Sequence, residues 1–289
     1  MSVFERSGTD EFARGARALV IYPEVPGRAS VGPEARLAEA EGLALAIGLF
    51  AAAPAHAAGE AIAIPDTKFS FDGVFGTYDR ASAQRGFQVY KEVCAACHSL
   101  RLLSYRNLRE LGLTEAQVEA IAAGYQIVDG PNDEGQMFER AGRPADRFRK
   151  PFANDAAARA ANNGALPPDL SVMAKARAGG ADYLYALLIG YVDPPAGVTV
   201  MDGMHYNKYF PGYQIAMGAP LNPDQVDYAD GTKATVEQMA RDVSTFLQWA
   251  AEPELEQRRA LGVKIIIFLT ILAGLTYAVK RKVWADVEH

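Results

Sequence analysis

Apolar residues along this 289-residue chain recur at intervals of three and four in several separate stretches, and no run alternates with period two. That pattern predicts a mainly α chain, mostly helix and loop. Asp79 is placed to cap a helix running to about Cys97, in which Phe87, Tyr90, Cys94 and Cys97 are spaced to share one face. Glu115–Ala123 and Ala181–Ile189 read as short helices. Thr235-Val-Glu-Gln238 has the form of a capping box, opening a helix with Val236, Met239, Val243, Phe246 and Ala250 on one side. Residues 129–151 and 191–223 are rich in Gly, Pro and Asp and read as long loops. Loops of that length in a compact domain are functional or wrap over something. No internal repeat is visible.

Apolar runs of two different kinds lie towards the ends. Leu261–Val279 is a 19-residue stretch interrupted by one charge, Lys264. As a helix it reaches ~28 Å, close to the ~30 Å of a bilayer's hydrocarbon core. Lys264 lies near the outer end and can snorkel towards Arg258 and Arg259. Lys280-Arg281-Lys282 follows the stretch and places the C-terminus on the cytoplasmic, or matrix, side. A buried core helix is the competing reading, and the basic flanks argue against it. Gly42–Ala53, followed by Ala55-His56-Ala57, resembles the apolar core and cleavage site of an export signal. Glu34, Glu39 and Glu41 against one Arg36 make its flank unusually acidic, and an Ala-rich helix is the alternative. The expected organisation is a leader over 1–57, an extracytoplasmic domain over 58–257, an anchor with basic flanks over 258–282 and a short cytoplasmic tail over 283–289.

Composition is that of a folded core, with 49% hydrophobic and 22% charged residues. The net charge of -6 hides an asymmetry. Residues 59–257 hold 26 Asp and Glu against 18 Lys and Arg, whereas 258–289 hold 2 against 6. An acidic globular part argues against nucleic acid, whose phosphates need a basic surface. It favours a basic protein partner, because opposite fields steer encounters. The only two cysteines are three residues apart, so a disulfide framework is excluded.

Cys94-Ala-Ala-Cys97-His98 is the attachment pattern for a c-type haem. Cysteines three apart on a helical turn reach both vinyl groups of one porphyrin, and the histidine that follows offers its imidazole to the iron. A redox C-x-x-C would need a βαβ setting, which is missing here. Zinc would need two further ligands from His56, His205, His289 or carboxylates, at no recognisable spacing. The sixth iron ligand separates a carrier from a catalyst, since an open iron binds small molecules. Candidates are His205 and the methionines Met137, Met173, Met201, Met204, Met217 and Met239. Met239 falls on the apolar face of a helix and reads as core. Met217 lies in an irregular loop bracketed by Pro211-Gly and Gly-Ala-Pro220, and spacing alone favours it only modestly over Met201, Met204 and His205.

Several stretches together resemble the cytochrome c1 family, the haem subunits of ubiquinol–cytochrome c reductase (bc1) complexes. They are Val93–Leu100, Asp129-Gly-Pro-Asn followed by Gln136-Met-Phe, Ala160–Ser171, Ala176–Gly180, Gly190-Tyr, Pro194-Pro195, Tyr209–Met217 and the C-terminal anchor. They run in family order from about residue 65 to the end. The resemblance implies a c-type cytochrome fold enlarged by long loops, one covalent haem c held by Cys94, Cys97 and His98, and Met217 as distal ligand. It implies that Arg177 pairs with a haem propionate, and it puts Asn162, Pro168 and Tyr183 in haem-lining stretches. Two departures stand out. There are no cysteines beyond the haem pair, so the extra disulfide of some bacterial members cannot form, and the first 57 residues do not resemble a family leader.

The resemblance further implies an electron carrier, not an enzyme on its own, working as a subunit of quinol–cytochrome c reductase beside cytochrome b. It would take electrons from the Rieske iron–sulfur subunit and reduce a soluble c-type cytochrome. The expected location is the inner membrane, with the haem domain periplasmic, or facing the intermembrane space in a mitochondrion. Asp129, Asp133, Glu134 and Glu139, or Asp224, Asp227 and Asp230, could steer a basic cytochrome; otherwise they are solvated loop charges. The alternatives are an anchored monohaem subunit of another oxidase or reductase, and an open-site haem enzyme.

Overall fold

In the computed structural model, which describes residues 62–285, the helices are α1 (Arg80–Glu92), α2 (Glu115–Ala123), α3 (Asp155–Ala161), α4 (Gly180–Ile189), α5 (Val236–Ala251) and α6 (Leu255–Val283). Helix α1 begins as expected, the Asp79 carboxylate accepting from the Ser82 N–H. It stops at Glu92 and does not run to Cys97. The chain then tightens into a 3-10 turn over Cys94–Ala96, where the N–H groups of Cys97 and His98 both donate to the Cys94 carbonyl, at 3.1 and 2.9 Å. The tighter winding turns Cys97 out to solvent, while Cys94 stays packed against the core that holds Phe87 and Tyr90. Both of those are buried, whereas Cys94 is half-buried and Cys97 exposed.

Helices α1 and α5 cross at Gly86. A Cβ there would lie 1.9 Å from the Asp242 carbonyl oxygen and 2.8 Å from the Phe246 Cβ, so only glycine permits the contact. Around the crossing, the Phe246 ring lies 5.7 Å from Phe87, 5.8 Å from Tyr90 and 5.7 Å from Trp249. Side chains of this kind each contribute about 1.5–3 kcal/mol on full burial. Phe148 comes out of the predicted 129–151 loop to stack on Tyr105 at 4.6 Å, so that loop completes the core.

Helix α5 is buried well beyond the single face that its sequence predicts, with Ser244, Leu247 and Trp249 also inside. It is packed by α1 and α4 and by the segment leading into α1, whose Tyr78 hydroxyl donates to the carbonyls of Gln248 and Glu252. Half of the capping box forms: the Thr235 hydroxyl accepts from the Gln238 N–H at 3.1 Å. The Gln238 amide turns instead to Asp242. Asp242 is fully buried and also accepts from Ser82 Oγ at 2.7 Å and Arg85 Nε at 2.9 Å.

Two short antiparallel ladders are present, and three of their four strands lie in stretches expected to be loop. Strand β1 (Gln126–Asp129) pairs with β2 (Phe138–Ala141), and β3 (His205–Tyr206) with β4 (Gln214–Ile215). Segments of two to four residues are too short for alternation to show in a sequence. A further seam joins the chain just after His98 to residues 169–171. Ser99 Oγ, Arg101 N–H and Ser171 N–H donate to the Asp169 carboxylate at 2.7, 2.9 and 3.0 Å, and the Leu170 N–H donates to the Ser99 carbonyl at 2.9 Å. Burial alone would raise the Asp169 pKa, but the donors from Ser171, Arg101 and Ser99 outweigh it and hold the carboxyl below its ordinary value.

Helix α6 contains the whole predicted span in 29 unbroken residues, ~43 Å at ~1.5 Å per residue, and only Leu255 of it is buried. It is long and apolar enough to cross a membrane. Its foot is tied to the domain. Arg80 holds Glu256 with two bonds, at 3.1 and 2.7 Å, and Arg258 pairs with Glu252 at 3.0 Å. The expected leader and His289 fall outside the described residues.

Replacing Asp242 by Ala removes the buried acceptor of Ser82 and Gln238 and leaves Arg85 only its exposed partner Asp230, and is expected to lower stability by about 3–5 kcal/mol, read from urea unfolding in detergent. An unchanged midpoint would contradict this account of the crossing. Asp169→Asn gives a pH-dependent result. A depressed folded-state pKa contributes stability above the unfolded value and loses it as pH falls through the folded one. The variant should therefore lose about 1–3 kcal/mol at pH 7, and the gap from the parent should close on acidification.

Candidate functional site

The Cys94–His98 turn presents three groups that the sequence singles out, each in a distinct setting. Cys94 and Cys97 are both free thiols, so neither is consumed by a disulfide. Burial pushes the Cys94 thiol up to about 12. A thiol held so far from ionisation is a poor nucleophile for disulfide exchange, which speaks against a redox C-x-x-C. The described sheets are two-stranded antiparallel ladders, so the βαβ setting of such a motif is missing as well. Among the described residues, which leave out His56 and His289, no group of three or more His, Cys, Asp or Glu is gathered that could hold a metal ion.

His98 has a defined tautomer. Its Nδ1 lies 2.8 Å from the Pro168 carbonyl oxygen, which can only accept, so Nδ1 carries the proton. Burial pulls the His98 pKa below its ordinary value against the effect of that bond, and the ring is neutral at pH 7. Nε2 is left with an open lone pair, the form in which an imidazole ligates iron. From the other side the buried Tyr90 hydroxyl donates to the His98 carbonyl at 3.0 Å. Exposed apolar side chains flank the segment that holds the ring, Leu166 on one side of Pro168 and Val172 on the other. Two unpaired thiols on one turn and a neutral imidazole with Nε2 open fit a covalently held c-type haem.

The candidates for the sixth ligand separate by burial. Met173 and Met239 are core, while Met137 and Met201 are each 62% exposed. Met217 is half-buried, and the Tyr191 hydroxyl donates to its carbonyl at 3.0 Å. Met204 is half-buried just before β3, and His205 is exposed, its Nε2 3.3 Å from where a Cβ on Gly218 would sit. Met204, His205 and Met217 thus share one folded loop. That loop hangs from the end of α4 through Asn207, which is fully buried: its amide donates to the Leu187 carbonyl at 2.8 Å and its Oδ1 accepts from the Tyr209 N–H at 3.0 Å. Docking is so close that a Cβ on Gly190 would lie 2.7 Å from Asn207 Oδ1.

Other expected residues fall as follows. Pro168 provides the carbonyl that orients His98. Asn162 caps the end of α3, its amide donating to the Ala158 carbonyl. Tyr183 is buried in α4, and Arg177 is exposed just before that helix with Nη1 on its neighbour's carbonyl. Asp129 and Asp230 are held by Arg140 and Arg85, whereas Asp133, Glu134, Glu139, Asp224 and Asp227 are exposed. Asp169 and Asn207 have no role in the sequence reading, and Tyr90 figures there only on a helix face with Cys94 and Cys97. Of these only Asp169 leaves a local trace, an Asp-Leu-Ser after two prolines that suits an Asx turn. An open cavity of about 250 Å³, lined by residues including Phe69, Phe71, Glu252 and Arg259, lies at the foot of α6 and contains none of these groups.

Comparison with known proteins agrees with the arrangement. Residues 69–287 match the model of the Cytochrome C1 family. The chain is 52% identical over 244 residues to a "Cytochrome b/c1" of Bradyrhizobium diazoefficiens, covering 77% of this chain and 36% of that protein. It is 50% identical over 226 residues to a "Cytochrome b-c1 complex catalytic subunit, mitochondrial" of Candida albicans, covering 78% of each. With the "Cytochrome c1" of Rhodospirillum rubrum it shares 45% over 266 residues, 86% of this chain and 96% of the other. The match begins before α1, takes in the Cys94–His98 turn and continues past the end of α6, and the chain belongs to the cytochrome C1 family.

Proposed function

We propose that this chain is the haem-bearing, membrane-anchored electron carrier of a bc1 complex, taking electrons from a Rieske iron–sulfur subunit and passing them to a soluble c-type cytochrome. The observation that carries this reading is the His98 ring, locked by the Pro168 carbonyl with Nε2 open, on a turn bearing two free thiols. Bound there, haem c supplies a one-electron iron couple and makes or breaks no bond in a substrate. Cys94 and Cys97 would hold the porphyrin through thioethers, and His98 Nε2 and the Met217 sulfur would ligate the iron. Tyr90 and Pro168 fix the proximal ring, while Tyr191 fixes the backbone of Met217. Met217 and Met204 are both half-buried on this clamped loop, unlike the core Met173 and Met239 or the exposed Met137 and Met201, and the family resemblance favours Met217 of the two.

The partnership with cytochrome b is supported by relatives whose names join the two proteins. The anchor is α6, and Lys280-Arg281-Lys282 beyond it puts the folded domain on the opposite, periplasmic or intermembrane-space, side. A docking face for a basic cytochrome is offered by the β1–β2 hairpin. Its apolar residues Val128, Met137 and Phe138 are exposed beside Asp133, Glu134 and Glu139. That combination suits a transient electron-transfer contact, in which charge steers and a small apolar area touches.

Met217→Leu should abolish the high potential in a redox titration, stop turnover of the complex and let the reduced protein bind carbon monoxide, which the parent should not. Retained potential and turnover would show that Met204 or His205 is the ligand. Raising ionic strength from about 0.01 to 0.15 M shortens the Debye length from ~30 to ~8 Å. Under diffusion-limited conditions it should slow reduction of a basic cytochrome c by roughly tenfold or more. A salt-independent rate would rule out acidic steering.

A further inference from the structure

We propose that the turn between Phe69 and Thr77 is a membrane-surface finger, with Val74 and Phe75 at its tip seated among the headgroups and upper acyl chains of the bilayer that α6 crosses. The proposal rests on the reading of α6 as a membrane span.

The turn divides its apolar residues in two directions. Phe69 and Phe71 are buried and stack on each other at 4.9 Å, while Val74 and Phe75 are 66% and 84% exposed. Phe75 is among the most exposed large apolar residues of the domain, and nothing in the proposed electron-transfer site uses it. The turn holds a definite shape. The Asp72 N–H donates to the Phe69 carbonyl and the Thr77 N–H to the Ser70 carbonyl, both at 3.1 Å. Gly73 takes a positive φ of 72°, and a Cβ on Gly76 would lie 2.2 Å from the Asp72 carbonyl oxygen, so the limbs are pressed together. The acid of the turn, Asp72, is exposed two residues before Val74, and its carboxylate accepts from the Phe69 N–H at 2.6 Å. The two residues at the tip, Val74 and Phe75, are both apolar.

The height of the tip follows from contacts that descend α6. The Tyr78 hydroxyl reaches the carbonyls of Gln248 and Glu252, and the Tyr78 N–H reaches Glu256. Nearer the tip, the carbonyls of Phe71 and Gly76 both accept from Arg259, at 2.7 and 2.8 Å. Each step along the turn thus moves closer to Leu261, where the apolar stretch begins, and Arg259 precedes Leu261 by ~3 Å of helix rise. Val74 and Phe75 lie beyond the Arg259 contacts. An aromatic and an aliphatic side chain held at that level match the interfacial layer, where an exposed apolar patch gains a partner.

The chain has two cysteines, both taken by thioethers in the holoprotein, so Phe75→Cys adds the sole free thiol for a nitroxide label. Full-length ferrous holoprotein carrying this label is placed in phosphatidylethanolamine–phosphatidylglycerol vesicles. Labels at Leu269→Cys, in mid-span, and Glu134→Cys, in water, serve as references. Accessibility to oxygen relative to a water-soluble nickel chelate should be severalfold higher at residue 75 than at 134, and lower than at 269. A value at 75 equal to that at 134, with 269 in lipid, overturns the finger and leaves the span intact. Exclusion of both reagents from 75 means a protein contact and overturns it too. An aqueous label at 269 overturns the spanning reading, and the finger with it.

Discussion

At Gly86 two helices approach until the backbone of one rests on the other, with no room for a methyl group between them. This crossing links the two ends of the protein's working apparatus. Helix α1 runs from it into the Cys94–His98 turn, and α5 runs from it to the foot of α6. Asp242 sits in the same contact, completely buried and holding Ser82, Arg85 and Gln238. A buried carboxylate is tolerable only with such partners, so its network selects one register between the two helices. Position at the site and position at the membrane are thereby set by one packed interface.

Around the site, orientation comes from carbonyl groups and not from other side-chain ligands. The Pro168 carbonyl can only accept, and this decides which nitrogen of His98 carries the proton. The seam through Asp169 keeps Pro168 in place relative to the turn, and Tyr90 closes the other side. The loop holding Met217 follows the same logic: Asn207 and Gly190 dock it to α4, and Tyr191 pins its backbone. Long loops with few regular elements can present ligands firmly when their own polar groups are spent on such docking.

Charge on the surface is more selective than its total. Asp129 and Asp230 belong to ion pairs with Arg140 and Arg85; Arg140 holds the Asp129 carboxyl below the usual range, and bonds from Thr232 first and Arg85 second lower Asp230 to about 2. Asp133, Glu134 and Glu139 remain exposed on a hairpin that also exposes Met137 and Phe138. At the foot of α6 the basic residues behave differently again. Arg258 and Arg259 turn to the domain and stiffen the junction between a water-soluble body and an apolar helix.

Local signals in the sequence were sufficient for the cap at Asp79, the bounds of Glu115–Ala123, the start of α5 at Thr235 and the apolar stretch inside α6, because caps and periodicity act over a few neighbouring residues. The Cys94–His98 spacing likewise carries its chemistry within one turn. Three features were decided only by tertiary structure: the end of α1 at Glu92, the two short ladders, and the burial of α5 on nearly every side. So were the parts played by Asp169, Asn207 and Tyr90, whose partners at the site lie 70, 20 and 8 residues away. Nothing in the residues beside them announces such bonds. They exist because burial obliges each polar group to find a partner, and the fold determines which one is within reach.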